Sequence, residues 1–501
     1  MLEDVVYPLR FAYLRLPEPL RIAAGTAYGA LPGAVVYGAP YARWRAWLPR
    51  SERLPEADLE ELSWRRLAAT LSYAHRRVPW YGRLWAEHGV TPRDVQGPSD
   101  LARVPVTTKA DVRHNYPEFV SRDARAGHVL TMFTTGSTGA PTRVAYTRGV
   151  TRPVDWAFIR HVWDRAGFRD GSTVCALRGA RVGGGAGPWL RDPSRHRWSY
   201  SGIDLDERGC ERVLRHMRSV RPEFLHVFPT VATTLAAYIV SRGIERPLPS
   251  LRGVLAGSET TTPGQIDLWR RAFGPGVQVL RWYGLTERAC LAGSCERSLD
   301  YHVFPQYAYT EFLGADGAPC GTMPGSGPAP AAGSEPASGG RARIVGTGFD
   351  NWVMPLIRFD TGDAVEGAGR RCACGRPYAA FPGIAGRAGA WAVTAAGDLV
   401  PFTQIAAGIE AHQWAKVLRL QFVQTEPGAL ALLLVPGAGT SRADLGALAA
   451  ELAVTVGRGF RVAWEAVDSI DELPGGKHAY FVQRLAVAET RSGALMTHAG
   501  D

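Results

Sequence analysis

The feature that most constrains this chain is an alternation of strand-like runs with helical segments between residues 171 and 284. The strand-like runs are short, apolar and rich in β-branched or aromatic residues. Two of them precede segments with helical spacing, which predict helices from Thr230 to Ser241 and from Pro263 to Phe273. Strands that alternate with helices indicate βαβ units, so we expect an α/β protein with a mostly parallel sheet flanked by helices. The strand-like runs are GSTVCALRG, EFLHVF, LRGVLAGSE and VQVLRWYG.

The segments on either side suggest more than one domain. A chain of 501 residues is long enough for two or more. Residues 58–90 have apolar positions at helical spacing, broken at Val78-Pro79, and predict two helices. Residues 314–340 are rich in Pro, Gly, Ala and Ser and predict a flexible loop.

After Arg387 the pattern changes to that of a small α+β domain. We therefore predict a large domain over residues 1–386 and a small mobile domain over residues 387–501, joined by a hinge. The elements expected in the small domain are strands near 391–395, 419–424 and 429–435 and a helix near 442–456.

The charge and the hydrophobicity of the sequence indicate which classes of partner to expect. The formal net charge is +10, which favours acidic partners such as nucleotides. The Arg residues are scattered, so we expect no nucleic-acid partner. No apolar run reaches the roughly 18 residues of a membrane span, and the first residues do not resemble a signal peptide. We expect a cytoplasmic protein with no membrane partner. The oligomeric state is not determined by the sequence, and a homodimer is left open.

Lysine is scarce in this chain. Only Lys109, Lys416 and Lys477 occur, and the other 54 basic residues are Arg. Because an ammonium is more compact than a guanidinium, each lysine is a candidate for a role that needs a compact cation.

A polar loop, FTTGSTGAPTR, occupies residues 133–143. Gly, Ser and Thr dominate surface turns, so a turn is one interpretation. The loop matches neither the P-loop nor the dinucleotide-binding fingerprint. Its hydroxyls and unhindered amides are also suited to an anion.

Three further polar turns follow in the sequence. YGLTE, Tyr283 to Glu287, follows a strand-like run, and alone it suits a strand end with Thr286 as a helix cap. MPLIRFDTGD suits a charged hairpin turn, and PGGKHAYFVQR suits a solvated turn that contains Lys477. The charged residues of the second motif are Arg358, Asp360 and Asp363.

Several of the seven cysteines cluster in the second half of the chain, at positions 290, 295, 372 and 374. Cys372 and Cys374 are close enough to bind one ion, and Cys295 and His302 lie just after YGLTE. Three Cys and one His suit structural zinc in a reducing compartment. Unrelated reduced thiols and a surface His are the alternative interpretation.

The polar turns, taken in this order, resemble those of the adenylate-forming superfamily, whose members activate a carboxylate with ATP. The resemblance is narrower to phenylacetate–coenzyme A ligases and their capsule-biosynthesis-type relatives, which often carry the Cys/His pattern as well. It extends from about residue 60 to about residue 485. It rests on WRRLAATLSYAHRRVPWYGRLW, DLARVPVTTKADVR and CACGRPYAAFPGIAGR.

The resemblance implies a role for each motif. The loop would hold the β- and γ-phosphates of ATP, Glu287 would help hold Mg²⁺, and Asp363 would bind the ribose. Glu287 and Thr286 would both be catalytic residues. Lys477 would be the catalytic cation, and Arg387 would lie near the nucleotide. The loop residues are Thr134, Thr135, Gly136, Ser137, Thr138 and Gly139, and the residues around the adenine are Gly257, Ser258, Glu259, Tyr283 and Gly284.

The sequence departs from the family pattern in two places. Ala140 stands where the phosphate loop usually carries Lys, and Gly389 and Ala390 stand where acids usually follow the hinge Arg. The second departure affects the transfer step more than adenylation.

The expected function is ATP-dependent activation of a carboxylic acid, followed by transfer to coenzyme A. An aromatic acid is favoured by the resemblance and by Phe224, Phe228 and Trp282 in the predicted pocket segments. The expected cofactors are ATP, Mg²⁺, structural Zn²⁺ and coenzyme A as co-substrate. An amide or ester synthetase with an amine or hydroxyl acceptor is the first alternative, and a catalytically silent nucleotide-binding relative is the second.

Overall fold

A computed structural model of the protein describes residues 2–134, 141–178, 182, 189–202, 205–314, 316–320, 341–387, 391–471, 477–485, 487–489 and 495–497. Its helices are α1 (Leu2–Val6), α2 (Arg10–Arg15), α3 (Glu18–Gly29), α4 (Gly33–Tyr37), α5 (Ala39–Ser51), α6 (Glu56–Arg77), α7 (Pro79–Glu87), α8 (Lys109–His114), α9 (Tyr116–Phe119), α10 (Thr151–Asp164), α11 (Glu207–Val220), α12 (Pro229–Ser241), α13 (Pro263–Phe273), α14 (Phe402–Ala407), α15 (Ala411–Trp414) and α16 (Arg442–Val456).

Its strands are β1 (Val129–Phe133), β2 (Arg143–Thr147), β3 (Val174–Arg178), β4 (Trp189–Asp192), β5 (Arg197–Ser201), β6 (Phe224–Val227), β7 (Gly253–Gly257), β8 (Gln278–Gly284), β9 (Leu291–Gly293), β10 (Tyr301–Val303), β11 (Ala308–Leu313), β12 (Arg341–Gly348), β13 (Phe359–Glu366), β14 (Ala380–Phe381), β15 (Ile384–Arg387), β16 (Trp391–Val393), β17 (Leu399–Pro401), β18 (Val417–Glu426), β19 (Ala429–Pro436), β20 (Arg461–Ala466), β21 (Phe481–Gln483), β22 (Val487–Glu489) and β23 (Leu495–Thr497).

The chain forms two compact units, each built from two distant segments. The first unit comprises residues 1–165 and 281–383, and the second comprises residues 166–280 and 384–501. One change of unit, between Gly383 and Ile384, lies close to the predicted domain boundary. The division at residues 386 and 387 stays a prediction.

The first unit combines helices with antiparallel strands. Strands β11, β12 and β13 pair in that order, and β8, β9, β10 and β14 form a second antiparallel set. Helix α10 packs against α5, and its buried face meets aromatic side chains such as Phe304 and Tyr307. Burial of such large rings is the main stabilising contribution to this core.

The second unit contains the parallel sheet that the sequence predicted. Strands β7, β6, β3 and β5 are parallel neighbours in that order, and β4 pairs antiparallel with β5 at the edge. A second sheet has the order β20-β19-β18-β21. The α/β fold class is therefore confirmed, and so are the predicted helices α6, α7, α12, α13 and α16.

The predicted flexible loop is described only in part. Of the predicted flexible loop, residues 315 and 321–340 are outside the described residues. Among the described residues, no helix is both long and apolar enough to cross a membrane.

Candidate active site and metal centre

Tyr283 and Asp363, predicted from separate motifs, meet in the first unit. Tyr283 lies near the end of β8 and Asp363 lies on β13. The phenol Oη donates a hydrogen bond to the Asp363 Oδ2 over 2.9 Å, and both side chains are buried. Burial, and then the charge of Asp363, raises the pKa of Tyr283 well above its ordinary value. The phenol therefore stays protonated and holds the carboxylate in one orientation.

The Thr-Gly-Asp turn has a defined local structure. Gly362 has a φ of 71° and its N–H donates to the Asp360 Oδ1 over 2.9 Å. The Thr361 hydroxyl donates to the Ile344 carbonyl and accepts from the Asp363 N–H. This bulge in the β12–β13 pairing turns Asp363 out of the regular register.

The other charged residue of this motif has a structural role. Arg358 is buried, and its Nε and Nη2 donate to the two carboxylate oxygens of Glu311 over 2.9 and 2.8 Å. A bidentate pair of this kind fixes β13 against β11.

Glu287 is paired with a lysine that sequence reasoning did not assign to the site. The Lys109 Nζ lies 3.0 Å from the Glu287 Oε1, and the Glu287 side chain is buried. Lys109 is the first residue of α8, and Thr108 caps that helix with Asp111. The preceding Thr107 exchanges backbone hydrogen bonds with β13, the strand that carries Asp363. The scarcity of lysine and the place of Lys109 within DLARVPVTTKADVR were the sequence signals for this residue.

The base of the polar loop is described, but its tip is not. The Thr142 N–H donates to the Thr134 Oγ1 over 2.9 Å, and the Thr134 N–H donates to the Thr142 carbonyl over 3.0 Å. Thr135, Gly136, Ser137, Thr138, Gly139 and Ala140 lie outside the described residues. Gly284 is exposed, and the carbonyl of Thr286 accepts a hydrogen bond from the Tyr146 hydroxyl.

The remaining residues predicted to contact the nucleotide or the reacting carboxylate lie in the second unit. Gly257 ends β7, and Ser258 follows with a φ of 74°. The Glu259 Oε2 accepts from the N–H and the hydroxyl of Thr230, over 3.0 and 2.6 Å, at the start of α12. Burial raises the pKa of Glu259, although these hydrogen bonds act in the opposite direction. Glu259 therefore has hydrogen-bond partners within the protein. Its position beside the adenine stays a prediction.

Lys477 lies beside Glu259. The N–H of the next residue, His478, donates to the Glu259 Oε1 over 3.4 Å. Burial is the largest influence on the pKa of Glu259 and raises it, and the Lys477 charge acts in the opposite direction. Burial lowers the pKa of His478 to about 4, so its imidazole is neutral and its Nε2 donates to the Leu420 carbonyl over 2.7 Å. These bonds anchor the segment that contains Lys477.

The C-terminal part of the second unit packs on α12 and α13. The Gln265 Nε2 donates to the Tyr480 Oη over 2.6 Å, and the Thr234 Oγ1 donates to the Leu418 carbonyl over 3.0 Å. Gly264 approaches the backbone closely, since a Cβ there would lie 2.0 Å from the Ile409 carbonyl oxygen. Arg387 ends β15, and its side chain lies outside the described residues, as do Gly389 and Ala390.

Cys295, His302, Cys372 and Cys374 form one cluster in the first unit. Their four ligand atoms all lie within 4.8 Å of one another. The Cys295 and Cys372 sulfurs are 3.7 Å apart, and the Cys374 sulfur is 3.4 Å from the His302 Nε2. A tetrahedral zinc ion with bonds of about 2.3 Å to sulfur requires sulfur–sulfur separations of about 3.8 Å. The side chains therefore fit structural zinc.

The surroundings of the cluster support thiolate ligands. The N–H groups of Arg297 and Ser298 donate to the Cys295 sulfur, and the Cys374 N–H donates to the Cys372 sulfur. The His302 Nδ1 lies 3.0 Å from the Asp300 carbonyl, which leaves Nε2 directed at the other ligands. Cys290 is apart from this group, since its sulfur accepts from Thr310 in the core.

Comparison with known proteins shows which proteins this chain is similar to. No protein-family model matches the chain. The phenylacetate–coenzyme A ligase of Thermus thermophilus is 28% identical over 347 residues, which cover 68% of this chain and 72% of that ligase. Protein CapK of Staphylococcus aureus is 22% identical over 326 residues, 63% of this chain and 65% of CapK.

A solved structure shows the same fold. The crystal structure of 2-hydroxyisobutyryl-CoA ligase in complex with R3-HIB-AMP has a TM-score of 0.65 at 19% identity, and covers 87% of this chain and 91% of that one. The resemblance to the adenylate-forming ligases that the sequence motifs indicated is confirmed by these comparisons. The relatives similar in sequence are phenylacetate–coenzyme A ligases and CapK.

Proposed function

We propose that the protein activates a carboxylic acid with ATP and transfers the acyl group to coenzyme A. In the first step a carboxylate oxygen attacks the α-phosphorus, the bond to the β-phosphate breaks, and pyrophosphate leaves. In the second step the thiol sulfur attacks the acyl carbon and AMP leaves, while the thiol proton passes to solvent. The position of Lys477 beside Glu259 carries this proposal, because adenylation needs a compact cation at the reacting carboxylate.

In the first unit, Asp363 would bind the ribose hydroxyls, with Tyr283 holding its carboxylate. Glu287 would bind Mg²⁺, which supplies charge neutralisation for the phosphate oxygens when bound. Lys109, in contact with Glu287, would provide a phosphate-binding cation in place of the lysine that Ala140 replaces. Thr134 and the residues of the loop tip would add hydroxyl and N–H donors.

In the second unit, Gly257, Ser258 and Glu259 would lie beside the adenine. Glu259 would also hold Lys477 in position through the His478 N–H. The zinc site would take no part in the chemistry and would stabilise the β9–β10 region, where Cys295 and His302 lie.

An aromatic substrate is part of this proposal. The similarity to phenylacetate–coenzyme A ligases supports it, and so does Phe228, which directly follows β6. Phe224 does not add support, because it packs on Phe168 in the core. Trp282 packs edge-on against Trp163.

Transfer to an amine or a hydroxyl is the second candidate function. It is favoured by Gly389 and Ala390, which replace the hinge acids associated with thioester formation.

The test is ATP–pyrophosphate exchange with a panel of carboxylic acids, followed by trapping with coenzyme A, amines or alcohols. We expect exchange with at least one aromatic acid and a thioester as product. An amide or ester as the product would favour the second candidate. Failure of every acid to support exchange would remove the enzymatic proposal.

A further inference from the structure

Arg288, which directly follows Glu287 in the first unit, has a backbone conformation that residues other than glycine rarely adopt. Its φ is 58°, in the left-handed region, which is unfavourable for a residue with a Cβ. Its N–H donates to the Leu285 carbonyl over 3.2 Å and closes a turn that contains Glu287. Such a conformation persists only where the surrounding contacts offset its strain.

The backbone of this turn packs directly on β12. A Cβ at Gly348 would lie 2.2 Å from the Arg288 carbonyl oxygen. A Cβ at Gly346 would lie 2.2 Å from the carbonyl oxygen of the next residue, Ala289. Only glycine permits so close an approach between two backbones, so the turn and β12 are fitted to each other.

The Arg288 side chain contacts a buried acid on α10. Its Nη1 lies 2.7 Å from the Asp155 Oδ2, and the Asp155 Oδ1 accepts from the Tyr307 hydroxyl over 3.0 Å. Asp155 and Tyr307 are both buried. A buried carboxylate with a charged partner and a further hydrogen-bond donor has one favoured orientation, so this contact fixes the guanidinium on α10.

Tyr146 connects the same turn to the strand that follows the polar loop. Its hydroxyl donates to the Thr286 carbonyl, and its ring centre lies 5.6 Å from the central carbon of Arg288. Tyr146 lies on β2, which pairs with β1, and residues 134–142 join these two strands. Burial raises the pKa of Tyr146, so the phenol stays protonated and remains a donor.

Consecutive residues of the turn therefore have different partners. The buried Glu287 carboxylate lies 3.0 Å from the Lys109 ammonium, whereas the Arg288 guanidinium contacts Asp155. The orientation of a metal ligand depends on the groups that hold the backbone and side chains around it. The contacts of Arg288 are of this kind, since they fix the backbone directly after Glu287.

We propose that Asp155 and Arg288 are positioning residues, which hold the turn so that the Glu287 carboxylate is oriented toward Mg²⁺ and the phosphates of ATP. This inference rests on the proposed function, because it takes Glu287 as the Mg²⁺ ligand. Its consequence is specific to the magnesium complex of ATP. AMP lacks the β- and γ-phosphates, so its binding should not depend on the ion pair.

The test compares the binding of magnesium–ATP with that of AMP, by titration calorimetry in the absence of any acid. Asp155→Asn keeps the shape of the side chain and removes its charge. We expect this variant to bind magnesium–ATP roughly 10- to 100-fold more weakly, as is typical when a supporting partner of a metal ligand is lost, and to bind AMP as the wild-type protein does. In ATP–pyrophosphate exchange the KM for magnesium–ATP should rise, while the KM for the acid should not.

Arg288→Gly separates the side chain from the backbone. Glycine adopts a positive φ without strain, so this variant keeps the turn accessible and removes the ion pair. It should lose magnesium–ATP binding selectively, as Asp155→Asn does. Arg288→Lys keeps the charge without the planar fork and should give a smaller loss in the same direction.

Asp164→Asn is the matched control. Asp164 is the last residue of α10, and its Oδ2 lies 2.6 Å from the Arg45 Nη1. Removal of this ion pair from the same helix should leave the ratio of the two nucleotide affinities unchanged. Thermal unfolding of each variant would identify a folding defect, and if Asp155→Asn does not fold, Arg288→Lys decides the question.

The outcomes separate this inference from the proposed function. Equal weakening of magnesium–ATP and AMP binding in Asp155→Asn, or no change in either, would overturn the positioning role and leave carboxylate activation intact. Absence of both magnesium–ATP binding and exchange in the wild-type protein would overturn the proposed function, and the positioning role with it.

Discussion

Each of the three lysines of this chain lies beside a glutamate, whereas arginine supplies the rest of its positive charge. An ammonium is a compact point charge, and a guanidinium is a planar fork, so the two are not interchangeable where space is limited. Two of these lysines belong to the proposed active site. The Lys109 Nζ lies 3.0 Å from the Glu287 Oε1, and the Lys416 Nζ lies 3.6 Å from the Glu451 Oε1. Lys477 directly precedes His478, whose N–H donates to Glu259.

Lys477→Ala should separate the two half-reactions. We expect acyl-adenylate formation to fall by about 10²-fold or more, because a cation that stabilises the transition state is lost. The same variant, supplied with chemically made acyl-adenylate, should still transfer the acyl group to its acceptor. Pyrophosphate exchange and single-turnover transfer measure the two steps. Lys416→Ala is the control and should affect neither, and a parallel loss of both steps in Lys477→Ala would contradict the assignment.

Lys109→Ala tests whether Lys109 takes the role of the phosphate-loop lysine, whose position is occupied by Ala140 in this chain. We expect pyrophosphate exchange to slow by about 10²-fold, mainly through weaker use of ATP. Ala140→Lys, at a position outside the described residues, should partly restore exchange in the Lys109→Ala background. An unchanged KM for ATP in Lys109→Ala would assign the lysine to the support of Glu287 alone.

Cys372→Ser tests the metal centre. The wild-type protein should contain close to one zinc ion per chain, and the variant should lose it together with thermal stability. Metal analysis by mass spectrometry and thermal unfolding measure the two effects. Cys320→Ser, a cysteine outside the cluster, should retain the metal. Wild-type protein purified under reducing conditions without zinc would contradict this prediction.

At the scale of elements, local sequence signals were sufficient to predict the bounds of a helix where capping residues and hydrophobic periodicity agreed. Helices α13 and α16 begin and end as predicted, and each starts with a capping box, from Thr262 to Gln265 and from Ser441 to Asp444. The strands of the parallel sheet were predicted from β-branched runs, since burial on both faces leaves few polar positions.

Contacts between residues distant in sequence were not accessible in this way. Nothing local to Lys109 indicates Glu287, which follows it by 178 positions, and nothing local to Tyr480 indicates Gln265. The cluster of three cysteines and His302 was predicted because cysteine and histidine in such a group have few roles other than metal binding. The roles of the nucleotide residues were inferred from family resemblance and stay predictions.

Tyr480→Phe tests how α13 holds the segment that contains Lys477. The hydroxyl accepts from the Gln265 side chain over 2.6 Å, and burial raises the pKa of this phenol. Its removal leaves a buried amide donor without this acceptor and should destabilise the docked segment by about 1 kcal/mol. We expect adenylation to slow several-fold while transfer from acyl-adenylate is unaffected. Gln265→Leu should reproduce the effect, and an equal slowing of both steps would argue against a role specific to docking.

At the scale of the whole molecule, one acid joins distant parts of the first unit. Glu52, after α5, contacts His161 and Arg165 at the end of α10 and Arg376, two residues after Cys374, over 2.9, 3.1 and 2.9 Å. Burial alone would raise the pKa of Glu52, but the His161 hydrogen bond and the two guanidinium charges outweigh it and lower the pKa.

The pH dependence of stability follows from this lowered pKa. A carboxylate with a depressed folded-state pKa stabilises the fold fully above its unfolded-state pKa of about 4.5, and the contribution is lost progressively as the pH falls from that value through the folded-state pKa. Glu52→Gln should therefore cost about 3 kcal/mol at pH 7 and much less at about pH 2. Thermal unfolding at both pH values measures the difference. Equal losses of stability at the two pH values would indicate that the shape of the Glu52 side chain, and not its charge, stabilises these contacts.

The interleaved division of the chain also constrains the order in which the protein can be completed during synthesis. Helices α12 and α13 emerge from the ribosome early, but the segment from Val417 to Tyr480 that covers them is made about 150 residues later, or roughly ten to thirty seconds at ordinary elongation rates. During that interval the buried faces of both helices are open to solvent or to other chains. All residues of the first unit have been synthesised once Gly383 has been added. The first unit can therefore fold before residues 384–501 of the second unit have been synthesised.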